Sequence, residues 1–162
     1  MPRTLRLSAL ALTLSALLAG CASTPQSLDD LPRTPQASVD EILKDADRRE
    51  GAEANLLRLH AAQTALNAGN PEQTQKILQR VPQSDLPTDQ QIRFSELQAT
   101  SALALGENPR ALRAIQHSSL QQLDLRPIEE QLRIQQLRAD ILEANNQPIE
   151  AAQERVYIDG LL

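Results

Sequence analysis

The sequence predicts an all-α protein: a tetratricopeptide-like solenoid of helical hairpins with about seven helices, set behind an export signal and a flexible tether. Three observations predict it. Leu, Ala, Gln, Glu and Arg dominate, while 5 Gly, one Phe, one Tyr and no Trp leave nothing of the β-branched and aromatic clusters from which strands are built. Apolar residues recur at helical spacing, and no window alternates with period two. Helix-stop and helix-restart signals ending in proline recur at Pro71, Pro109 and Pro148, 38 and 39 residues apart. Self-similarity at such a period marks stacked hairpins, in which no pair buries its apolar stripes alone. The spacing exceeds the roughly 34 residues of a tetratricopeptide repeat and falls near armadillo-type lengths, so the likeness is one of class. A short right-handed solenoid is expected, with a non-repetitive helical bundle as the competing architecture.

Residues 1–20 read as a lipoprotein signal peptide. Arg3 and Arg6 form a positive start, Leu7 to Leu18 form an apolar run, and Leu18-Ala19-Gly20-Cys21 closes it with small residues before a thiol. The run is shorter than the roughly twenty apolar residues a spanning helix needs. The Leu-Ala-Gly-Cys box resembles the site where the bacterial lipoprotein pathway attaches diacylglycerol to the sulfur and cleaves before it. Cys21 is therefore the expected lipidation site and mature N-terminus. With one Cys in the chain no intrachain disulfide forms, so stability falls to helix packing. Two or three acyl chains, at about 0.8 kcal/mol per buried CH₂, anchor a domain firmly where one does not. By resemblance to the lipoprotein sorting rule, which keeps proteins with Asp after the Cys at the inner membrane, Ala22 and Ser23 point to the outer membrane.

Residues 21–37 are expected to form the lipidated tether. The stretch ASTPQSLDDLPRTPQA holds three prolines and no apolar period, so a helix cannot propagate through it. Fully extended, it reaches about 50 Å at roughly 3.1 Å per residue.

Residues 38–162 are expected to be the helical repeat domain. Ser38 and Glu41 have the S-x-x-E spacing of a capping box, with Val39, Ile42, Leu43 and Ala46 on one face after it. Gly51 should interrupt that first helix. Glu53 to Ala68 then carries two apolar stripes, Leu56, Leu59, Ala62 and Leu66 beside Leu57, Ala61, Ala65 and Ala68, which predict two packing neighbours. Gly69-Asn70-Pro71, Glu107-Asn108-Pro109 and Asn146-Gln147-Pro148 each close a long helix (53–68, 89–105, 127–144) and open a shorter one, with Asn70 and Asn108 as candidate N-caps. The shorter helices bear Ile77 and Leu78, Leu112 and Ile115, and Ala151, Ala152 and Val156. Thr88 and Gln91 read as a second capping box.

Chemistry-bearing patterns are sparse. His60 and His117 stand far apart with no His or Cys partner at ligand spacing, so no metal site and no cofactor are expected. Asp29-Asp30 falls in the tether, and Glu129-Glu130 falls in a first helical turn, where negative charge suits the helix dipole. No glycine-rich phosphate loop or nucleophile elbow is present, so no catalytic residue and no small-molecule substrate are assigned. The formal charge is -5, and removing Arg3 and Arg6 with the signal leaves 14 basic against 21 acidic residues, or -7. Nucleic acid is an unsuitable partner for such a chain, because its binding depends on phosphate neutralisation. Long glycans are disfavoured too, since flat aromatic platforms are missing. Solenoids bind along the concave face lined by their longer helices, where Arg58, Arg93 and Arg133 are the candidate partner-binding residues. The plainer alternative is that they are solvated helix residues.

The phrases Leu31-Pro-Arg-Thr-Pro35, Leu56-Leu-Arg-Leu-His-Ala-Ala62, Gly69-Asn70 and Leu137-Arg-Ala-Asp-Ile-Leu-Glu-Ala144, closing with Glu154-Arg-Val156 and Leu161-Leu162, resemble in order the N-terminal domain of the LpoA family. Members are outer-membrane lipoproteins that activate class A penicillin-binding proteins. The resemblance implies a tetratricopeptide-like N-domain, a larger second domain shaped like a periplasmic binding protein that touches the synthase, and lipidation at Cys21. The sequence stops at Leu162, where that second domain would begin, so the expectation is the anchoring and spacing part of a non-catalytic regulator of peptidoglycan synthesis. Its expected partners are a class A penicillin-binding protein, or another envelope protein, and the membrane through the lipid. The alternatives are a pilotin- or assembly-type lipoprotein for an outer-membrane complex, or an inactive truncated product.

Overall fold

The computed structural model describes residues 38–117, 120 and 123–162. The expected signal, Cys21 and the tether lie outside the described residues. The described chain forms seven α-helices: α1 (Val39–Ala46), α2 (Gly51–Asn67), α3 (Pro71–Leu78), α4 (Thr88–Ala104), α5 (Asn108–Ile115), α6 (Ile128–Ala144) and α7 (Pro148–Leu161). Short 3-10 turns at Gln83–Asp85 and Leu123–Leu125 precede α4 and α6.

Helix α1 starts as the sequence predicts. The Ser38 hydroxyl accepts from the Glu41 amide at 3.3 Å, and the Glu41 carboxylate accepts from the Ser38 amide at 2.8 Å, so two otherwise free donors are satisfied reciprocally. Gly51 does not interrupt α1, which has already ended at Ala46; with φ +62 it is the first residue of α2.

Three hairpins follow, α2/α3, α4/α5 and α6/α7, and each has a long first helix of 17 residues. All three turns close in one way. Gly69 (φ +74), Gly106 (φ +72) and Asn146 (φ +60) each sit just past a long helix in the left-handed region. The next amide then bonds five residues back, Asn70 to the Ala65 carbonyl, Glu107 to Ala102 and Gln147 to Leu142, at 2.9–3.0 Å. This is the Schellman closure, and Gly, then Asn, are the residues that tolerate it. Asn70 caps α3 through its side chain, which accepts from the Gln73 amide at 3.1 Å. Asn108 is not a cap: Glu107 holds that position, and one extra residue places Asn108 inside α5. Its amide instead donates to the Ala144 carbonyl at 2.8 Å, while Asn145 donates back to the Asn108 carbonyl at 3.0 Å, tying α5 to the end of α6.

The other ends of the hairpins also repeat. Pro87 and Pro127 hold the N-cap positions of α4 and α6, and Gln91 and Gln131 donate to the Leu86 and Arg126 carbonyls, both at 2.8 Å. Gln91 thus pins the incoming loop rather than completing a capping box with Thr88, which lies within the helix.

The short helices α3 and α5 are each set between their own long helix and the next, α3 between α2 and α4, α5 between α4 and α6. The long helices α2, α4 and α6 also touch in succession. Ala62, Ala99 and Ala139, seven residues before each left-handed turn, are all 0% exposed. At Ala62 the backbone carbonyl accepts from the Thr74 hydroxyl of α3 at 3.2 Å, so a methyl there lets the short helix of the hairpin approach closely. α4 feeds two apolar clusters, giving Phe94 and Leu97 to one with Ile42, Leu59 and Ile77, and Ile92, Ala99 and Ala102 to the other with Ile115, Ile134 and Ile141. The stripes expected on α2 are mostly inward, but Leu56 is 40% exposed and Ala68 is at the surface. On α7 only Ala151 is buried, whereas Ala152 and Val156 face water, because α7 has α6 as its one substantial neighbour among the described residues.

Candidate functional site

The long helices line a groove of about 500 Å³ walled by polar and charged side chains: Gln63 from α2, Asp89, Gln90, Arg93 and Glu96 from α4, Arg126 from just before α6, and Glu130 and Arg133 from its start. Repetition brings these residues together. Arg93 and Arg133 stand thirteen residues before Gly106 and Asn146, so successive long helices present them at one level. The same level of α2 holds Leu56. Arg58 stands eleven residues before Gly69, at a level occupied in the later hairpins by Ser95 and Gln135, both buried. The structure accordingly unites Arg93 and Arg133 and puts Arg58 elsewhere.

Arg58 turns toward α1. Its guanidinium reaches Asp47 at 3.4 Å and Asn55 at 3.4 Å, and its side chain is 18% exposed. Asp47 also accepts from Arg80 at 2.5 Å, so one carboxylate joins the end of α1 to α2 and to the end of α3. Arg80, and secondarily Arg58, holds the Asp47 carboxyl below the usual value of 3.8.

Inside the groove the ion pairs share an orientation. Arg133 forks onto Glu96 with contacts of 2.5 and 3.1 Å, and Arg126 onto Glu130 with 3.1 and 3.2 Å. Both carboxylate side chains are 17% exposed, against 57% for Arg133 and 29% for Arg126. Glu96 and Glu130 therefore lie beneath their guanidiniums, whereas Asp89, the third carboxylate of the groove, is exposed. The hydrogen bond from Arg133 to Glu96 is the main cause that raises the Arg133 pKa above its ordinary value, with charge attraction from Glu96 and Glu130 added. Arg93 is exposed and forms no ion pair among the described residues.

A second cavity of about 500 Å³ lies between α5, α6 and α7, with Leu112, Ile115 and Leu142 among its lining and Arg138 paired to Glu154 at 3.6 Å. A third polar cluster joins hairpins at the turn edge: Gln75 donates to Glu107 at 3.0 Å and accepts from Arg110 at 2.5 Å. The Gln75 hydrogen bond, more than Arg110, lowers the Glu107 pKa from its usual 4.5. His60 is exposed on α2, and His117 is half-buried after α5 with its ring 3.5 Å from Gln83. Among the described residues no three His, Cys, Asp or Glu converge as a metal site, and no helix is long and apolar enough to cross a membrane.

The sequence comparison matches residues 32–162 to the family model described as "LppC putative lipoprotein". Two curated proteins of Vibrio cholerae serotype O1, from strains O395 and El Tor Inaba N16961, are 29% identical over 152 residues, and each is called "Penicillin-binding protein activator LpoA". That match takes in 93% of this chain and 25% of either relative, so the chain spans about a quarter of their length. The solved structure of Haemophilus influenzae LpoA superposes with a TM-score of 0.53 at 18% identity, over 80% of this chain and 23% of that one. This last likeness establishes the fold.

Proposed function

The chain belongs to the LppC lipoprotein family, and on that premise we propose that it is a lipid-anchored, non-catalytic scaffold of peptidoglycan synthesis that docks a class A penicillin-binding protein. The observation that carries the proposal is the family match across residues 32–162, joined to Vibrio relatives named as penicillin-binding protein activators. The groove supports it, because side chains committed to guanidinium–carboxylate pairs suit holding another protein surface better than moving protons.

In this reading residues 1–20 are the export signal, Cys21 carries the lipid, residues 21–37 form the tether, and residues 38–162 form the docking body. The basic start, the apolar run and the Leu-Ala-Gly-Cys box support lipidation, and Ala22 and Ser23 in place of Asp support residence at the outer membrane, facing the periplasm. Arg93 and Arg133 are the proposed partner-binding residues, whereas Arg58 holds α1 onto α2. The test is genetic. Deleting the whole gene is expected to leave cells dependent on their other class A synthases, so that removing one of those as well stops wall growth; a double mutant that builds wall normally contradicts the proposal.

A further inference from the structure

We propose that the cavity between α5, α6 and α7 receives an arginine side chain of a partner protein, its guanidinium held by Glu150 and Glu154 and its stem laid over Leu112 and Leu142. This rests on the docking role argued above and names the chemistry of one side chain that is docked. The fold supplies the template one hairpin earlier. Between α3 and α5, Arg110 donates to Gln75 at 2.5 Å and to Glu107 at 3.1 Å, so an arginine closes the gap between successive short helices. Counted from the left-handed residue of each turn, Glu150 stands where Arg110 does, four residues on, and Leu112 stands where Gln75 does, six on. A leucine side chain cannot accept and a carboxylate cannot donate, so this bond has no counterpart between α5 and α7. The space left there is about 500 Å³, which falls among ordinary ligand pockets.

The charge of the lining selects a cation. Arg138 is its one basic side chain, against the two carboxylates of Glu150 and Glu154, so the lining is net negative. Arg138 is also committed elsewhere: Nη1 donates to Gln135 at 3.2 Å and Nη2 to the Leu120 carbonyl at 3.3 Å, and its 3.6 Å approach to Glu154 is longer than a hydrogen bond. Glu150 is exposed and makes no ion pair among the described residues. The last turn of α5 forms one wall through Leu112 and Ile115, and it adds the negative pole of the helix dipole. Arg113 of that turn lies outside the lining and pairs with neither carboxylate. The form of the cation follows from its surroundings. Glu150 and Glu154 are one helical turn apart on the same side of α7, so a planar fork with five N–H groups spans them, where a compact ammonium does not. Leu112, Ile115 and Leu142 give the methylene stem an apolar bed.

The test uses the full chain in deuterated detergent and a blocked pentapeptide, Gly-Ala-Arg-Ala-Gly, read by saturation-transfer NMR. Its counterparts carry citrulline, the uncharged isostere of arginine, or lysine at the centre. The arginine peptide is expected to bind with a Kd on the order of 1 mM in low salt, about fivefold more tightly than either counterpart. E150Q should weaken it about fivefold and remove its advantage over citrulline. E72Q, which makes the same charge change at an exposed site in the first turn of α3, should leave binding unchanged. No binding, equal binding of the citrulline or lysine peptide, or an E150Q chain that binds no more weakly than E72Q would overturn the assignment. Because the peptide titration needs no synthase, its failure alongside a synthase that still co-purifies rejects the arginine contact and leaves the scaffold role standing.

Discussion

Gly69, Gly106 and Asn146 are the residues on which the repeat is registered. A Cβ built at Gly106 meets nothing within 4 Å, so Gly106→Ala isolates the cost of the left-handed backbone from any clash. A loss of about 1 kcal/mol is expected in urea unfolding, with Gly106→Asn losing less because Asn146 fills the equivalent place; an unchanged Gly106→Ala denies the turn its role. The prolines after these turns were legible, but the true register was masked by the extra residue Glu107, which moves Asn108 from cap to helix interior. Carboxylates set the acid response. Hydrogen bonds from the Ser38 backbone, from Arg80 and from Gln75 lower the pKa values of Glu41, Asp47 and Glu107. The unfolded chain then binds more protons, so stability is present above the usual values of 3.8 and 4.5 and falls as the pH drops through them. Denaturation midpoints measured from pH 6 to pH 2 should decline below about pH 4, and Asp47→Asn should flatten that decline; a rise on acidification contradicts it.

Among the elements, the long helices were the most legible, since apolar spacing and proline punctuation agreed on them to within a residue or two. The short ones were read correctly where a following long helix covers them. Ile77, Leu78 and Ile115 are buried for that reason, whereas the stripe read on α7 lies mostly at the surface. No pattern inside a helix announces how many neighbours it will have. The alanines at the helix crossings make the complementary point, because Ala62, Ala99 and Ala139 are inconspicuous in an alanine-rich chain and become meaningful only once the turns are superposed. Ala99→Leu adds bulk at a site with 0% exposure and is expected to cost about 1–3 kcal/mol by forcing α4 from its neighbours. Leu59→Ala, which empties part of the first cluster, should cost about 2–5 kcal/mol. Comparable losses from Ala152→Leu on exposed α7 would mean that the crossings are not special.

At the scale of the molecule, the fold class and the family were both legible, and the groove was legible only in part. Arg93 and Arg133 share a level because their hairpins are equivalent, while Arg58 looked equivalent by residue type and lies two positions away, on a different face. The inward placement of Glu96 and Glu130 depends on neighbouring helices and had no signature in the sequence. Anchor, stack and groove together make one claim, that a membrane-held helical scaffold grips a wall synthase. The most direct measurement is quantitative recovery of envelope proteins with a tagged full chain after crosslinking in cells. The account predicts that a class A penicillin-binding protein is the chief partner recovered and that R93E depletes it severalfold while the chain stays in the membrane fraction; recovery of a β-barrel or secretin in its place, or undiminished synthase with R93E, would contradict it.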